Sequence, residues 1–377
     1  VNLSSIRENG EKTDELSEIL TWNYLVEPGD RVATKLRGVL GNQRALEKLL
    51  SRDATEVDGL SSSELRSAFD RWLPRYKSNI AAETLQLAKR FDMRLLLPTD
   101  KLWPNSLNDL GLFAPMLLWY RGNRENFMKL DRSLSVVGSR TCSNYGLQIT
   151  SDVVSCAVKH DCAVISGGAL GVDSVAHRTA LALRGNTVAV MAGSLDNLYP
   201  AGNWELFEKI GHSGLLLSEM APNSKPTRWR FLQRNRIIAA LGSALVVTEA
   251  GWRSGSINTA SHCAELGRRV FAIPGPISSP SSAGCNRLIR DNLAELLLDT
   301  EDVASELGWI DSNLLQDDQF GSLELRTYDF LTTREQPMPQ IASAAGLTTS
   351  ELALALGALK LSNRAVQGPK GGWKRTK

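Results

Sequence analysis

A chain of 377 residues exceeds a usual domain of about 100 to 200 residues, so two or three domains are expected. With 42% hydrophobic residues, 22% charged residues and a formal net charge of +2, the composition is that of a globular protein and argues against disorder. Five cysteines, Cys142, Cys156, Cys162, Cys263 and Cys285, form no C-x-x-C pair, which argues against a disulfide framework or a thiolate zinc centre and points to a reducing cytoplasm.

From Thr13 to about Phe91 apolar residues recur at helical spacing, as in Leu16, Ile19, Leu20 and Leu65, Phe69, Trp72, with breaks at Pro28-Gly29-Asp30 and Pro74. The spacing predicts a small domain of short amphipathic helices. Its Glu27-Pro28-Gly29-Asp30 turn carries two acids, which favours packing over contact with phosphate. Residues 94–122 read as a connector with a few strands.

From Ser133 the rhythm changes to apolar strands between helices: Leu134 to Val137, Cys162 to Ile165, Thr187 to Met191, Gly214 to Leu217, Ala244 to Val247 and Val270 to Ile273. Strands alternating with helices of this length imply a parallel sheet covered on both faces, with ligands bound beyond the carboxyl ends of the strands. After an acidic stretch, Asp299 to Asp329, with nine acids and Arg326 as its single base, residues 323–377 read as three helices and two short strands. The third helix begins at Thr348 with a Thr-x-x-Glu capping box to Glu351, and the whole suits a winged helix-turn-helix. Its Leu and Ala composition from Glu351 to Leu359 favours protein contact over base reading. No leader of charged then apolar residues is visible and no apolar run nears the ~20 residues of a membrane span, so no membrane association is expected.

Charge is distributed unevenly. Lys225 to Arg290 holds ten Lys or Arg against two acids, Glu249 and Glu265, a local +8 that leaves −6 for the rest of the chain. Such a block points to a polyanion. Trp229 and Trp252 are interleaved with its arginines, which suits phosphate contact combined with base stacking.

The turns after the strands are where chemistry is sought. The first is Gly138-Ser139-Arg140, able to hold a phosphate by backbone amides, hydroxyl and guanidinium. The second, Ser166 to Asp173 with Gly167, Gly168 and Gly171, departs from the G-x-G-x-x-G fingerprint and has no acid about 20 residues on, so no dinucleotide cofactor is expected. Asp173 and His177 stand one helical turn apart and read as a structural pair. The segments Arg234-Asn235-Arg236 and Arg253-Ser254-Gly255 read as turns bordering the strand Ala244 to Val247. Glu249, just after that strand, offers a rival reading as the acid-base of a nucleotide-hydrolysing enzyme. No G-x-x-x-x-G-K-[ST] loop and no histidine ligand spacing occurs, so neither an ordinary triphosphatase nor a metal centre is expected.

In chain order, Val137-Gly138-Ser139-Arg140, Tyr145-Gly146, Ser166-Gly167 to Asp173, His177, Tyr199-Pro200, Ser218-Glu219, Arg234 to Ala239, Glu249-Ala250, Arg253 to Ser256, Pro274-Gly275 and Gly284 to Ile289 resemble the motifs of the DprA/Smf family of DNA-processing proteins. The resemblance runs from Leu95 to about Val303. It implies an α/β fold: an extended Rossmann-like sheet domain (93–305), a helical SAM-like domain before it (1–92), an acidic linker (306–322) and a winged-helix domain (323–377). It further implies a non-catalytic, cytoplasmic homodimer that binds single-stranded DNA and loads the recombinase RecA on it during recombination and natural transformation. Carried over by position, the DNA-contacting set is Arg140, Arg234, Asn235 and Arg236, with Ser139, Gly167, Gly168, Gly171, Ser254 and Gly255 as backbone partners. Charge and stacking add Phe231 and Arg253. Leu170 stands where the family commonly has arginine, so a phosphate contact is missing there or comes from Arg178 or Arg230. Cys285 to Arg290, with Leu288 and Ile289, is a candidate dimer face.

Overall fold

The computed structural model describes residues 10–309 and 321–376, and most of the expected linker, 306–322, lies outside them. The chain divides into two compact units, residues 1–304 and 305–377. The first opens with four helices, α1 (Gly10–Leu25), α2 (Arg31–Leu50), α3 (Ser62–Trp72) and α4 (Ile80–Arg90). They close on their own core, in which Trp22 meets Trp72 edge to face at 5.5 Å. Asp30 caps α2 by accepting from Val32 N and Ala33 N and also accepts from Trp72 Nε1, so this acid serves packing.

The remainder of this unit is built on β1 (Arg94–Leu96), β2 (Leu118–Gly122), β3 (Ser133–Val137), α5 (Asn144–Lys159), β4 (Ala163–Ser166), α6 (Val172–Ala182), β5 (Thr187–Met191), α7 (Trp204–Ser213), β6 (Leu215–Ser218), α8 (Arg228–Leu241), β7 (Ala244–Val247), α9 (Gly255–Glu265), β8 (Arg269–Ala272), α10 (Ala283–Arg290), β9 (Glu295–Leu296) and α11 (Thr300–Glu306). The nine strands form one sheet in the order β1-β2-β6-β5-β4-β3-β7-β8-β9. From β6 to β9 all pairings are parallel, while β2 runs antiparallel to both β1 and β6. The expected strands at Thr187–Met191 and Ala244–Val247 form with those bounds, and every residue in them is buried, as in parallel sheets covered on both sides. The alternation of strands and helices thus gives the α/β fold read from the sequence.

One helix is held in a way that matters for the site. Carbonyls in the last turn of α8 accept from β3 side chains: Leu241 O from Ser133 Oγ (2.8 Å), and Ile238 O from Ser135 Oγ (2.7 Å) in addition to the Gly242 amide. Arg268 Nη1 donates to Ala239 O and Gly242 O as well. Both serines belong to β3, so the strand fixes the far end of α8 and its first turn is set relative to the β3 carboxyl end.

The second unit contains α12 (Ser322–Phe330), α13 (Met338–Ala345), α14 (Thr349–Leu361) and the antiparallel pair β10 (Ala365–Gln367) and β11 (Trp373–Arg375). Thr348 and Glu351 form the capping box expected at the start of α14. Leu331, Ile341, Leu352, Leu356 and Trp373 supply its core.

Candidate nucleic-acid interface

In chain order β4 to β6 are laid down on one side of β3, and β7 to β9 on the other. The crevice between the carboxyl ends of β3 and β7 is therefore the switch point at which sheets of this kind take ligands. An open groove of about 920 Å³ occupies it, lined by the turn after β3, the start of α8 and the turn from β7 into α9.

The turn after β3 contributes Ser139 and Arg140. Ser139 N donates to Glu249 O at 2.7 Å and its hydroxyl bonds Thr141, which leaves the Arg140 side chain exposed at the rim. From α8, Phe231 rises between two guanidiniums, Arg140 at 5.3 Å and Arg234 at 5.7 Å from its ring centroid, with Tyr199 edge-on at 5.9 Å. The ring is fixed by cations and remains half-buried in the groove wall.

Arg234 reaches the groove from below. Its Nη1 donates to Gly167 O (2.7 Å) and Val190 O (2.6 Å), while Nε has no hydrogen-bond partner. Burial pushes its pKa down to about 10, with neighbouring Asp173 acting in the opposite direction. Burial raises the Asp173 pKa, although Arg234 and the amide of Ala169, which donates to Oδ2, both favour its charged form. Arg234 is thus a buried positive charge supporting Phe231.

The third wall is the turn into α9. Ser254 caps that helix, accepting from Ser256 N, and Gly255 and Ser256 bring the positive end of the helix dipole to the groove. Asn235 ties this wall to α8 by donating from Nδ2 to Asn258 Oδ1 (3.1 Å) and Gly255 O (3.4 Å). Arg253 is exposed on the same turn. Arg228 also lines the groove and was missed in the sequence, where nothing but its charge marked it. The one acid among the lining residues is buried Asp173.

Other expected positions lie elsewhere. Arg236 does not join the groove: its Nη2 is bound by both carboxylate oxygens of Glu219 at 2.7 and 2.8 Å, beneath the Glu27 to Asp30 turn. The reason is helical phase, since Arg234 and Arg236 lie two residues apart on α8 and cannot share a side. Gly167, Gly168 and Gly171 line no part of the main groove. Gly167 instead admits the Arg234 guanidinium, which a side chain there would strike, and Gly171 at φ 79° caps α6 against the backbone of Ser139 and Arg140. His177 bonds Thr187 at 2.8 Å rather than Asp173. Leu170 is exposed beside Tyr199 and Phe231, and Arg230 does not replace the missing arginine because Glu27 binds its Nε (2.9 Å) and Nη2 (2.8 Å). Cys285 and Leu288, expected on a dimer face, are buried.

Glu249 is also turned away from the groove. Its Oε2 accepts from Ser143 N at 2.9 Å and from the Cys142 thiol at 3.2 Å, at the N-terminus of α5. Burial acts to raise its pKa, but hydrogen bonding from Ser281, then from Ser143 and Cys142, prevails and holds it below the usual carboxylate range. A carboxylate so engaged is poorly placed to move a proton on a ligand in the groove.

The family model described as DNA recombination-mediator protein A matches residues 94–308. A putative DNA processing protein DprA of Mycobacterium tuberculosis is 38% identical over 304 residues, covering 76% of this chain and 78% of the relative. The DNA processing protein DprA of Streptococcus pneumoniae is 40% identical over 207 residues, covering 55% of this chain and 72% of its own length. The X-ray structure of the Streptococcus pneumoniae protein superposes with a TM-score of 0.58 at 32% identity, covering 74% of this chain and 98% of that one. DNA processing protein A from Helicobacter pylori, whose structure was described for its unique single-stranded DNA binding mode, superposes with a TM-score of 0.52 at 27% identity over 60% of this chain and 97% of its own. Sheet, switch-point groove and sequence matches agree, and the chain belongs to the DNA recombination-mediator protein A (DprA/Smf) family.

Proposed function

We propose that the groove binds single-stranded DNA and that the protein acts as a recombination mediator with no bond-breaking step of its own. The observation that carries this reading is one aromatic ring, Phe231, fixed between Arg140 and Arg234 beside the N-terminus of α9. An unpaired strand can stack a base on such a ring while its phosphates meet guanidiniums and backbone amides, whereas the bases of a duplex are already stacked on one another. The single-strand binding of the Helicobacter pylori relative supports the same ligand.

In this reading Arg140, Arg228 and Arg253 meet phosphate, Ser254 and Gly255 add short-range donors, Ser139 shapes the turn that presents Arg140, and Asn235 holds two walls together. The strand so held is handed to RecA in a cytoplasmic homodimer, serving homologous recombination and natural transformation. The second unit acts as a winged-helix module whose Leu- and Ala-rich α14 favours a protein partner.

The test is oligonucleotide binding by fluorescence anisotropy, comparing single with double strands across a salt series. Single strands should bind more tightly, with a log–log salt slope of about −2 for three phosphate contacts at roughly −0.7 each. Equal binding of both forms, or a slope near zero, would reject the groove. RecA loading is tested separately by filament growth on single strands covered with single-strand binding protein, which should start sooner when the mediator is added.

A further inference from the structure

We propose that Trp252, backed by Arg287, is a second base-stacking platform in the groove, separate from Phe231; the inference rests on the single-strand reading above. Trp252 is half exposed (52%) on the turn between β7 and α9, where a large indole gains little from burial. It is nonetheless held, because the Arg287 guanidinium lies 4.9 Å from its ring centroid.

Both partners sit on fixed backbone. Gly284 N, in the first turn of α10, donates to Ala250 O at 2.7 Å, and Ser254 N donates to Gly251 O at 3.0 Å, so α10 and the Trp252 turn are joined. Arg287 follows one turn later on α10, and Asp291 Oδ2 accepts from its Nε at 3.3 Å, orienting the guanidinium. Trp229 is similarly exposed but does not line the groove. Of the two tryptophans in the basic block, the groove therefore takes one.

A ring with a cation over it and a place in the wall of a basic groove has the same construction as Phe231 under Arg140. The chemical class recognised is an unpaired nucleobase of any identity, since every base presents a π-face and no hydrogen-bond code is involved. With α8 holding one base and the β7 turn another, the groove requires a strand of several nucleotides and does not read a mononucleotide.

The experiment measures wild-type protein and variants against an oligothymidylate of about 20 nucleotides, longer than a usual single-strand site of ~4–16, and against a fully abasic strand of the same length. Trp252→Ala should weaken oligothymidylate binding by ~10-fold with the melting temperature unchanged, and Trp252→Phe should restore most of the loss, because phenylalanine keeps a stacking face. On the abasic strand wild type and Trp252→Ala should bind alike. Arg287→Ala should weaken binding less than Trp252→Ala, and adding it to Trp252→Ala should cost nothing more. Wild-type binding with no loss in Trp252→Ala, or an equal loss on the abasic strand, overturns the platform while leaving the single-strand reading in place. Failure of the wild-type protein to bind single strands overturns both.

Discussion

Replacing Arg140 and replacing Arg236 should have different consequences, because water reaches one guanidinium and not the other. Arg140 is exposed and touches Phe231, so Arg140→Ala should reduce oligonucleotide affinity by about 1.5–3 kcal/mol, the usual contribution of a charged hydrogen bond, with little effect on denaturant midpoint. Arg236 is buried with Glu219, and Arg236→Ala would leave that carboxylate uncompensated, at a cost of about 3–5 kcal/mol in stability measured by chemical denaturation. A midpoint unchanged in Arg236→Ala would show that the pair is not needed for folding. The arginine block itself was legible as charge; the separation of these two side chains needed the knowledge that Arg234 to Arg236 is helix rather than turn. His177 gives a pH test at the same scale. Thr187 Oγ1 donates to Val164 O and therefore accepts from His177 Nδ1, while burial lowers the imidazole pKa from 6.5 to about 3. The folded state stays neutral where the unfolded chain takes up a proton, so stability is lost as pH falls from about 6.5 toward 3, by up to ~1.4 kcal/mol per unit. His177→Gln should flatten that part of the stability profile; an identical slope in the variant would contradict the burial argument.

At the scale of elements, α8 joins the helical region to the groove. Its sequence hides this, because the half from Arg234 to Leu241 is buried on every side and has no apolar stripe to reveal an amphipathic helix. Strands such as β5 and β7 were legible for the opposite reason: short apolar runs between turn residues have few other places to go. The first turn of α8 is clasped from outside. Glu27 binds Arg230 and also Arg75 (2.9 Å), and Gly29, at φ 72°, passes so close that a Cβ there would come 2.7 Å from Gln233 Oε1. The two acids of the 27–30 turn are thus used in packing, as their charge indicated. Glu27→Ala should loosen this turn, and hydrogen exchange should quicken at the amides of Phe231 to Arg234 more than at Ile237 to Leu241, which Ser133 and Ser135 still anchor. Uniform exchange along the helix would mean that the clasp does not hold its first turn.

For the whole molecule, the division into residues 1–304 and 305–377 predicts where function resides. Every residue assigned to the groove lies in the first unit, which also contains the helices that clasp α8. In the second unit Arg375 is occupied internally: its guanidinium lies 4.0 Å from the Tyr328 ring centroid, and Nη2 donates to Tyr328 O. Exposed Leu354 and Leu361 on α14 offer an oligonucleotide no charge. A chain shortened to residues 1–308 should therefore keep the single-strand affinity and salt slope of the full protein. Because each unit has its own core, calorimetry of the full chain should resolve a transition that the shortened chain lacks, with the other transition unshifted. If affinity falls with the deletion while that remaining transition stays in place, the second unit supplies DNA contacts that the composition of α14 does not announce. If the remaining transition shifts as well, the two units fold as one cooperative body, and the loss of affinity would reflect stability rather than contact.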